Sequence, residues 1–235
     1  MADFSLQQIF GLTPAVCFRY RKLGMILLLR CLKGMAKARL RWPKRSGMCR
    51  YSRPIRARHP LLTKAFGFVD GLYLPIARSS DLDMENAYYN GWCSSHYTSN
   101  ILAFGPDGTI FHATMNAPGS WHDVAVSQFL YRHLLEDTPS NYYLAADTAF
   151  ATSNQEIRDK LRTPPKAGFT GFSPNPTIAL QQVAYNDQLV SARQAAEWRV
   201  GILQGSFSRL KLPMPAENAE YRQLLLETCV TLSDL

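Results

Sequence analysis

Apolar positions recur at helical spacing through the first thirty or so residues of the chain and switch to strand spacing from Phe66 onward. Leu6, Ile9 and Phe10 form one stripe and Gly11 breaks it. Thr13-Pro14 then reads as an N-cap followed by proline in the first turn, which predicts a second helix to about Lys33. From Ala36 to His59, Pro43, Gly47 and Pro54 stand among Lys and Arg, the pattern of a basic linker with at most one short helix. FGFVDGLYLPI (Phe66 to Ile76) predicts a short strand carrying one acid, Asp70. After a polar stretch with Asp81, Asp83 and Glu85 come YTSNILAF (Tyr97 to Phe104), Gly105-Pro106-Asp107-Gly108 and TIFHATM (Thr109 to Met115), a hairpin signal. Gly119-Ser120 opens a helix to about Leu135, with Ser120 as N-cap and Val124, Phe129, Leu130 and Leu134 as its apolar positions. A fourth strand, the apolar run Tyr142 to Ala146, ends at Asp147. A short helix (Asn154 to Leu161) and a loop rich in Pro, Gly and Thr follow, to about Thr177.

The last long helix is expected from about Ala179 to Leu210, with a candidate break near Asn186. Ala196, Val200, Leu203, Phe207 and Leu210 trace one buried face, and Glu197 lies roughly 60° from Val200, at the margin of that face. It can therefore look toward the sheet. Pro213 and Pro215 stop this helix, and Tyr221 to Val230 forms a shorter one. There is no internal repeat and no low-complexity tract.

Strand with Asp70, hairpin, helix, strand ending in Asp147, helix, and a late helix with Glu197 is the layout of an α/β ribonuclease-H-like fold, a mixed sheet flanked by helices. In it the first and fourth of these strands lie side by side, so Asp70 and Asp147 become neighbours and Glu197 can complete the cluster. Three ionised carboxylates at one spot repel, and such a site is stable only with a divalent cation, Mg²⁺ or Mn²⁺. Two such ions can activate a water or a 3′-hydroxyl and stabilise the leaving oxygen of a phosphodiester displacement. The residues alone leave a plainer reading open, in which the strand-end aspartates are loop caps and Asp70 caps the turn at Gly71.

Charge divides the chain. Residues 1–66 hold fifteen Lys and Arg against one acid, Asp3, a net +14, while the remaining residues are net −6, in keeping with the overall +8. A segment so basic points to a polyanion, nucleic acid above all. Helix, glycine turn and helix outline a helix-turn-helix over residues 1–35, with Arg19, Arg21 and Lys22 in the first turns of the second helix; a plain helical hairpin fits equally. The expected organisation is 1–35 helix-turn-helix-like and basic, 36–64 basic linker, and 65–235 the α/β domain. Arg39 and Arg41 in the linker are further DNA-binding candidates. The basic stretch Lys37 to Arg58 suits a DNA grip or a nuclear import signal.

At 235 residues and 46% hydrophobic, the composition excludes collagen, coiled coil and wholesale disorder. The longest apolar run, Met25 to Leu29, is too short for a bilayer, and the start lacks a signal peptide, so neither a membrane span nor secretion is expected. Five scattered cysteines without a C-x-x-C pair read as reduced intracellular thiols, not a zinc site or a disulfide frame.

FGFVDG, AYYNGWCSSHY (Ala87 to Tyr97), PDGTI (Pro106 to Ile110), NAPGSWHD (Asn116 to Asp123), LAADTAF and RQAAEWRVGILQGSFSRLKLP (Arg193 to Pro213) together resemble the DDE-superfamily endonuclease domain of PIF/Harbinger-type transposases and their domesticated derivatives. The similarity runs from about Phe66 to Pro213, and IFGLTPAVCFRY (Ile9 to Tyr20) is similar to the helix-turn-helix preceding that domain. The resemblance implies that Asp70, Asp147 and Glu197, separated by 77 and 50 residues, are the acidic triad that binds two divalent metals. It sets Asp123, and with it His122, near the active site; helix capping by Ser120 and Asp123 is the structural alternative. His96 and Asn90 match a segment beside the second strand and carry no assigned chemistry. Against the family the chain looks trimmed at both ends, Arg199 replaces a small residue, and Trp92-Cys93 replaces more basic ones. The implied activity is a metal-dependent DNA endonuclease of transposase type, acting in the nucleus on double-stranded DNA beside a Myb/SANT-like partner protein. The alternative is a domesticated, inactive DNA- or partner-binding protein that keeps the fold.

Overall fold

The computed structural model describes residues 3–165, 168 and 170–235. Met1 and Ala2 of the basic segment, and Lys166, Ala167 and Phe169 of the expected Pro/Gly/Thr loop, lie outside them. The described residues form six strands: β1 (Ala65–Pro75), β2 (Tyr89–Asn90), β3 (Ser95–Phe104), β4 (Ile110–Pro118), β5 (Tyr143–Ala146) and β6 (Leu161–Arg162). They make one mixed sheet in the order β2-β3-β1-β5-β6, with β4 also paired to β3. β1 runs antiparallel to β3 and parallel to β5, and β3 and β4 are the expected hairpin, turning through Gly105–Gly108. With helices on both faces, this is the architecture of a ribonuclease-H-like fold.

Alternation along the strands sorts side chains to the two faces. Phe68, Leu72 and Leu74 of β1 and Tyr143 and Ala145 of β5 join one core, covered by α8 (Pro176–Ser206) and α9 (Ala219–Leu232). Val69 of β1 and Leu144 and Ala146 of β5 join the other, covered by α5 (Asp123–Val126), α6 (Gln128–Glu136) and α7 (Gln155–Lys160), with Leu130, Leu134 and Ile157 buried there. Each fully buried Val, Leu, Ile or Phe among them contributes roughly 1.5–3 kcal/mol. Pleat parity therefore sends Asp70 and Asp147 toward α8.

The N-terminal basic segment is docked, not trailing. α1 (Asp3–Phe10) and α2 (Pro14–Gly34) turn at Gly11, whose φ of +59° suits glycine, and α2 packs on α9 through Phe18 and Tyr221, with ring centroids 5.2 Å apart. The expected linker holds α3 (Arg45–Arg58), fourteen residues long. Met48, Tyr51, Ser52 and Ile55, at i, i+3, i+4 and i+7, bury one face against β1, and this outweighs the cost of Pro54, which sits on the exposed side. The composition of the stretch hid that stripe.

Three further expectations change. The polar stretch at Asp81 is helix α4 (Leu82–Tyr88), N-capped by the Asp81 carboxylate, which accepts from Asp83 N and Met84 N. Ser120 caps nothing: the helix predicted from Gly119 begins at Asp123 after His122, and it is split at Ser127 into α5 and α6. α8 runs unbroken past Asn186 and starts at Pro176, where the Asn175 side chain caps Thr177 N and Ile178 N. Arg199, the expected misfit in α8, ties the molecule together, donating to Gly108 O at 2.7 Å and to Ser233 O at 2.6 Å and pairing with the buried Asp234 at 3.0 Å. All five cysteines are free, and no helix among the described residues is long and apolar enough to cross a membrane.

Candidate active site

Register places the first two acids. Val69 pairs with Ala146 across the parallel β1/β5 seam, so the next residues, Asp70 and Asp147, stand side by side where the two strands end their pairing. Each also makes the bond of a local cap. Asp70 Oδ1 accepts from Gly71 N at 2.9 Å, and Asp147 Oδ1 accepts from Thr148 N at 2.6 Å, opening the 3₁₀ turn Thr148–Phe150. The capping role and the shared site thus coexist.

Glu197 comes from α8. Leu189, Ala192, Ala196 and Leu203 bury the inner face of that helix, and the two alanines let it lie close over the strands. Arg193 and Glu197 follow Ala192 and Ala196 by one residue each, so they flank the buried stripe together, one turn apart. Arg193 Nη1 lies 2.9 Å from Glu197 Oε1 and 3.5 Å from Asp147 Oδ2. One guanidinium nitrogen joins a helix acid to a strand acid.

Asp70 feels the whole cluster. Burial lifts its carboxyl from the ordinary 3.8 to about 6, and the Glu197 and Asp147 charges add to the rise, while the Gly71 N–H and the Arg193 charge hold it back. The folded state holds this proton more tightly than the unfolded chain, so the group's contribution to stability falls as pH climbs from about 4 to about 6. Asp70→Asn removes the ionising group and keeps the acceptor for Gly71 N. In chelator, urea unfolding should find this variant about 2–3 kcal/mol more stable than wild type at pH 8, at ~1.4 kcal/mol per pKa unit, with the gap closing by pH 4. A variant no more stable than wild type at pH 8 would refute the buried, crowded carboxylate.

Asp123, at the first turn of α5, stands within reach of the Asp147 charge. Its Oδ2 accepts from Tyr73 Oη at 2.6 Å; burial raises its pKa, the tyrosine and His122 oppose that, and the Asp147 charge adds to it. Burial, together with this bond, likewise pushes the Tyr73 hydroxyl above its ordinary range. Neither Ser120 nor Asp123 makes a side-chain helix cap. His122 is exposed and lines, with Tyr73, Trp92, Tyr97, Trp121 and Asp123, a cleft of about 630 Å³ that reaches Ala149 next to the Asp147 turn. His96 and Asn90 serve the framework of this cleft: His96 Nε2 lies 2.7 Å from Glu85, and the Asn90 side chain donates to Gly119 O and accepts from Trp92 N and Cys93 N.

The DNA-binding candidates sit elsewhere. Arg19 is exposed on α2, Lys22 pairs with Glu220 of α9 at 3.6 Å, and Arg21 is half-buried. Arg41 is exposed, and Arg39 donates through Nε to Lys33 O at 2.7 Å. The basic stretch Lys37 to Arg58 presents a further exposed basic surface: Arg45, Arg50, Arg53, Arg56 and Arg58, all on α3. Sequence reasoning missed Arg193 and Tyr73. Spacing was their only available signal, Arg193 at four before Glu197 on one helix and Tyr73 in the strand of Asp70.

Among the described residues no group of three or more His, Cys, Asp or Glu is spaced to hold a metal ion as the side chains stand. The donor set nonetheless suits one. Hard carboxylate oxygens converge, one carboxyl has its pKa raised by burial and by its acidic neighbours, and the position between Asp147 and Glu197 already takes a cationic group.

A ribonuclease-H-like sheet with acids gathered where its central parallel strands part defines the class, an α/β protein built like the phosphodiester-cutting nucleases. The family model described as DDE superfamily endonuclease matches residues 69–234, and the chain belongs to that family. No curated protein and no solved structure matches it.

Proposed function

We propose that the protein is a divalent-metal-dependent DNA endonuclease of transposase type, of the PIF/Harbinger kind, with Asp70, Asp147 and Glu197 as its metal-binding and catalytic acids. The observation that carries the reading is the convergence itself: the Val69–Ala146 register and one turn of α8 bring three carboxylates, distant in sequence, to one strand end. Asp70, Asp147 and Glu197 would hold a pair of Mg²⁺ or Mn²⁺ ions, which would supply positive charge to activate the attacking oxygen and steady the leaving one. The chain's own residues do the rest. Gly71 N and Thr148 N orient the two aspartates, Asp123 and Tyr73 fix the wall of the adjoining cleft, and the exposed arginines of α3, with Arg19 and Arg41, grip double-stranded DNA phosphates. We assign the protein to the nucleus, where the basic stretch Lys37 to Arg58 also suits import, and a Myb/SANT-like protein as its partner.

The test is nicking of supercoiled plasmid by the purified full chain in Mn²⁺, run beside Asp70→Ala and Glu197→Ala. Nicking by wild type that chelator and both variants abolish is the expected result. A folded wild type that does not nick would leave the alternative, an inactive DNA- or partner-binding protein on the same fold.

A further inference from the structure

Among the described residues Arg193 is the cation seated inside the acidic cluster, and its bonding is unusual for arginine. A guanidinium normally engages a carboxylate with two parallel bonds, using its planar fork. Here a single nitrogen, Nη1, is divided between Glu197 at 2.9 Å and Asp147 at 3.5 Å, and Nε is buried without a hydrogen-bond partner. The side chain is only 20% exposed, whereas those of Asp147 and Glu197 are 39% and 49% exposed. It therefore acts as a point charge wedged between two acids, with a third acid, Asp70, also within reach of its field. That is the place and the charge sign of a metal ion, filled by the protein itself.

We propose that Arg193 is the built-in counterion of the triad, a positioning residue that holds Asp147 and Glu197 together in the metal-free protein and must give up both carboxylates before a divalent cation binds them. The inference rests on the reading of Asp70, Asp147 and Glu197 as metal ligands. Two consequences follow from elementary electrostatics. A fixed positive charge at the ligands competes with any arriving cation, so Arg193 lowers metal affinity. Without it, two neighbouring acids face each other uncompensated, so the metal-free protein depends on it for local order.

The decisive measurement is Mn²⁺ affinity, followed without reference to cleavage by the loss of the free-ion paramagnetic resonance signal as full-length protein is added. Arg193→Gln is expected to bind Mn²⁺ at least about tenfold more tightly than wild type, and Arg193→Lys, which keeps the charge, within about threefold of it. Asp147→Asn is the control that abolishes binding in either background. In wild type, the Arg193 side-chain N–H resonance, assigned by its absence from Arg193→Lys, should shift on titration with diamagnetic Mg²⁺. That readout does not require Arg193→Gln to fold.

Equal or weaker Mn²⁺ binding by Arg193→Gln, with wild type binding normally, would overturn the counterion role and leave the triad reading intact. An Arg193 resonance that ignores saturating Mg²⁺ would do the same. Binding by Arg193→Gln alone would support the proposal in its strongest form. If neither protein takes up Mn²⁺, the triad reading fails and the proposal falls with it.

Discussion

Asp147→Asn is expected to cut Mn²⁺-supported plasmid nicking by at least about a thousandfold while leaving affinity for duplex DNA within about twofold of wild type. The substitution is nearly isosteric. The introduced amide oxygen can still accept from Thr148 N, the bond that opens the turn after β5, so the strand end keeps its shape. What disappears is one negative charge from the cluster proposed to hold a divalent ion. Binding to DNA should barely notice, because the exposed arginines proposed to grip it lie outside this cluster. Removing Arg50, Arg53 and Arg56 together, all exposed on α3, should do the reverse: affinity falls, and the slope of log K against log salt shrinks by up to about 3. Lys22, already paired with Glu220, should contribute less than Arg19. Fluorescence anisotropy over a salt series, set beside the nicking assay, separates the two roles. Parallel loss of binding and cleavage in Asp147→Asn would place the grip at the triad itself.

Arg222→Ala should destabilise the protein by about 3–5 kcal/mol, lowering the melting temperature by roughly 10 °C. Arg222 is fully buried, and its bonds among the described residues go to neutral oxygens. The guanidinium donates to Asn116 Oδ1 at 2.9 Å, to Pro215 O at 2.6 Å, to Ala216 O and to Tyr88 Oη, while lying over the Tyr88 ring. These bonds lock together the end of β4, the loop before α9 and the end of α4. Asn116 sits at φ +63° and is held there from three sides, its N–H donating to Asn100 Oδ1 and its Nδ2 to Ala219 O. Truncation strands four acceptors and releases a backbone kept in a sparsely populated conformation. Arg222→Lys restores the charge but not the planar fork, so only partial recovery is expected. Thermal and urea unfolding at neutral pH decide it, and a loss below about 1 kcal/mol would mean that the buried network contributes little.

How far the chain could be read depended on whether the signal was local. The hairpin of β3 and β4, the strand ending at Asp147 and the helix of Glu197 all follow from short-range periodicity and turn residues. The same logic failed where a weak stripe was masked by composition, as in α3, whose apolar positions are scattered among arginines and a proline. It failed again at Ser120, where a good capping residue precedes a helix that begins three residues later. Asp123 illustrates the limit at the site: its motif marked it as near the active site, but its partner, Tyr73, is fifty residues away, and only the fold brings the two together.

The sequence by itself determined the order of the long strands and the long helices, the split between a basic N-terminal segment and an acidic remainder, and the candidacy of Asp70, Asp147 and Glu197, because period, punctuation and charge are properties of neighbouring residues. The tertiary structure alone decided that β1 and β5 pair in the register that aligns two aspartates, that α8 turns Arg193 into the gap between the acids, and that α3 displays its arginines on a docked helix. Those outcomes depend on which faces bury against each other, and burial is settled by the whole chain at once.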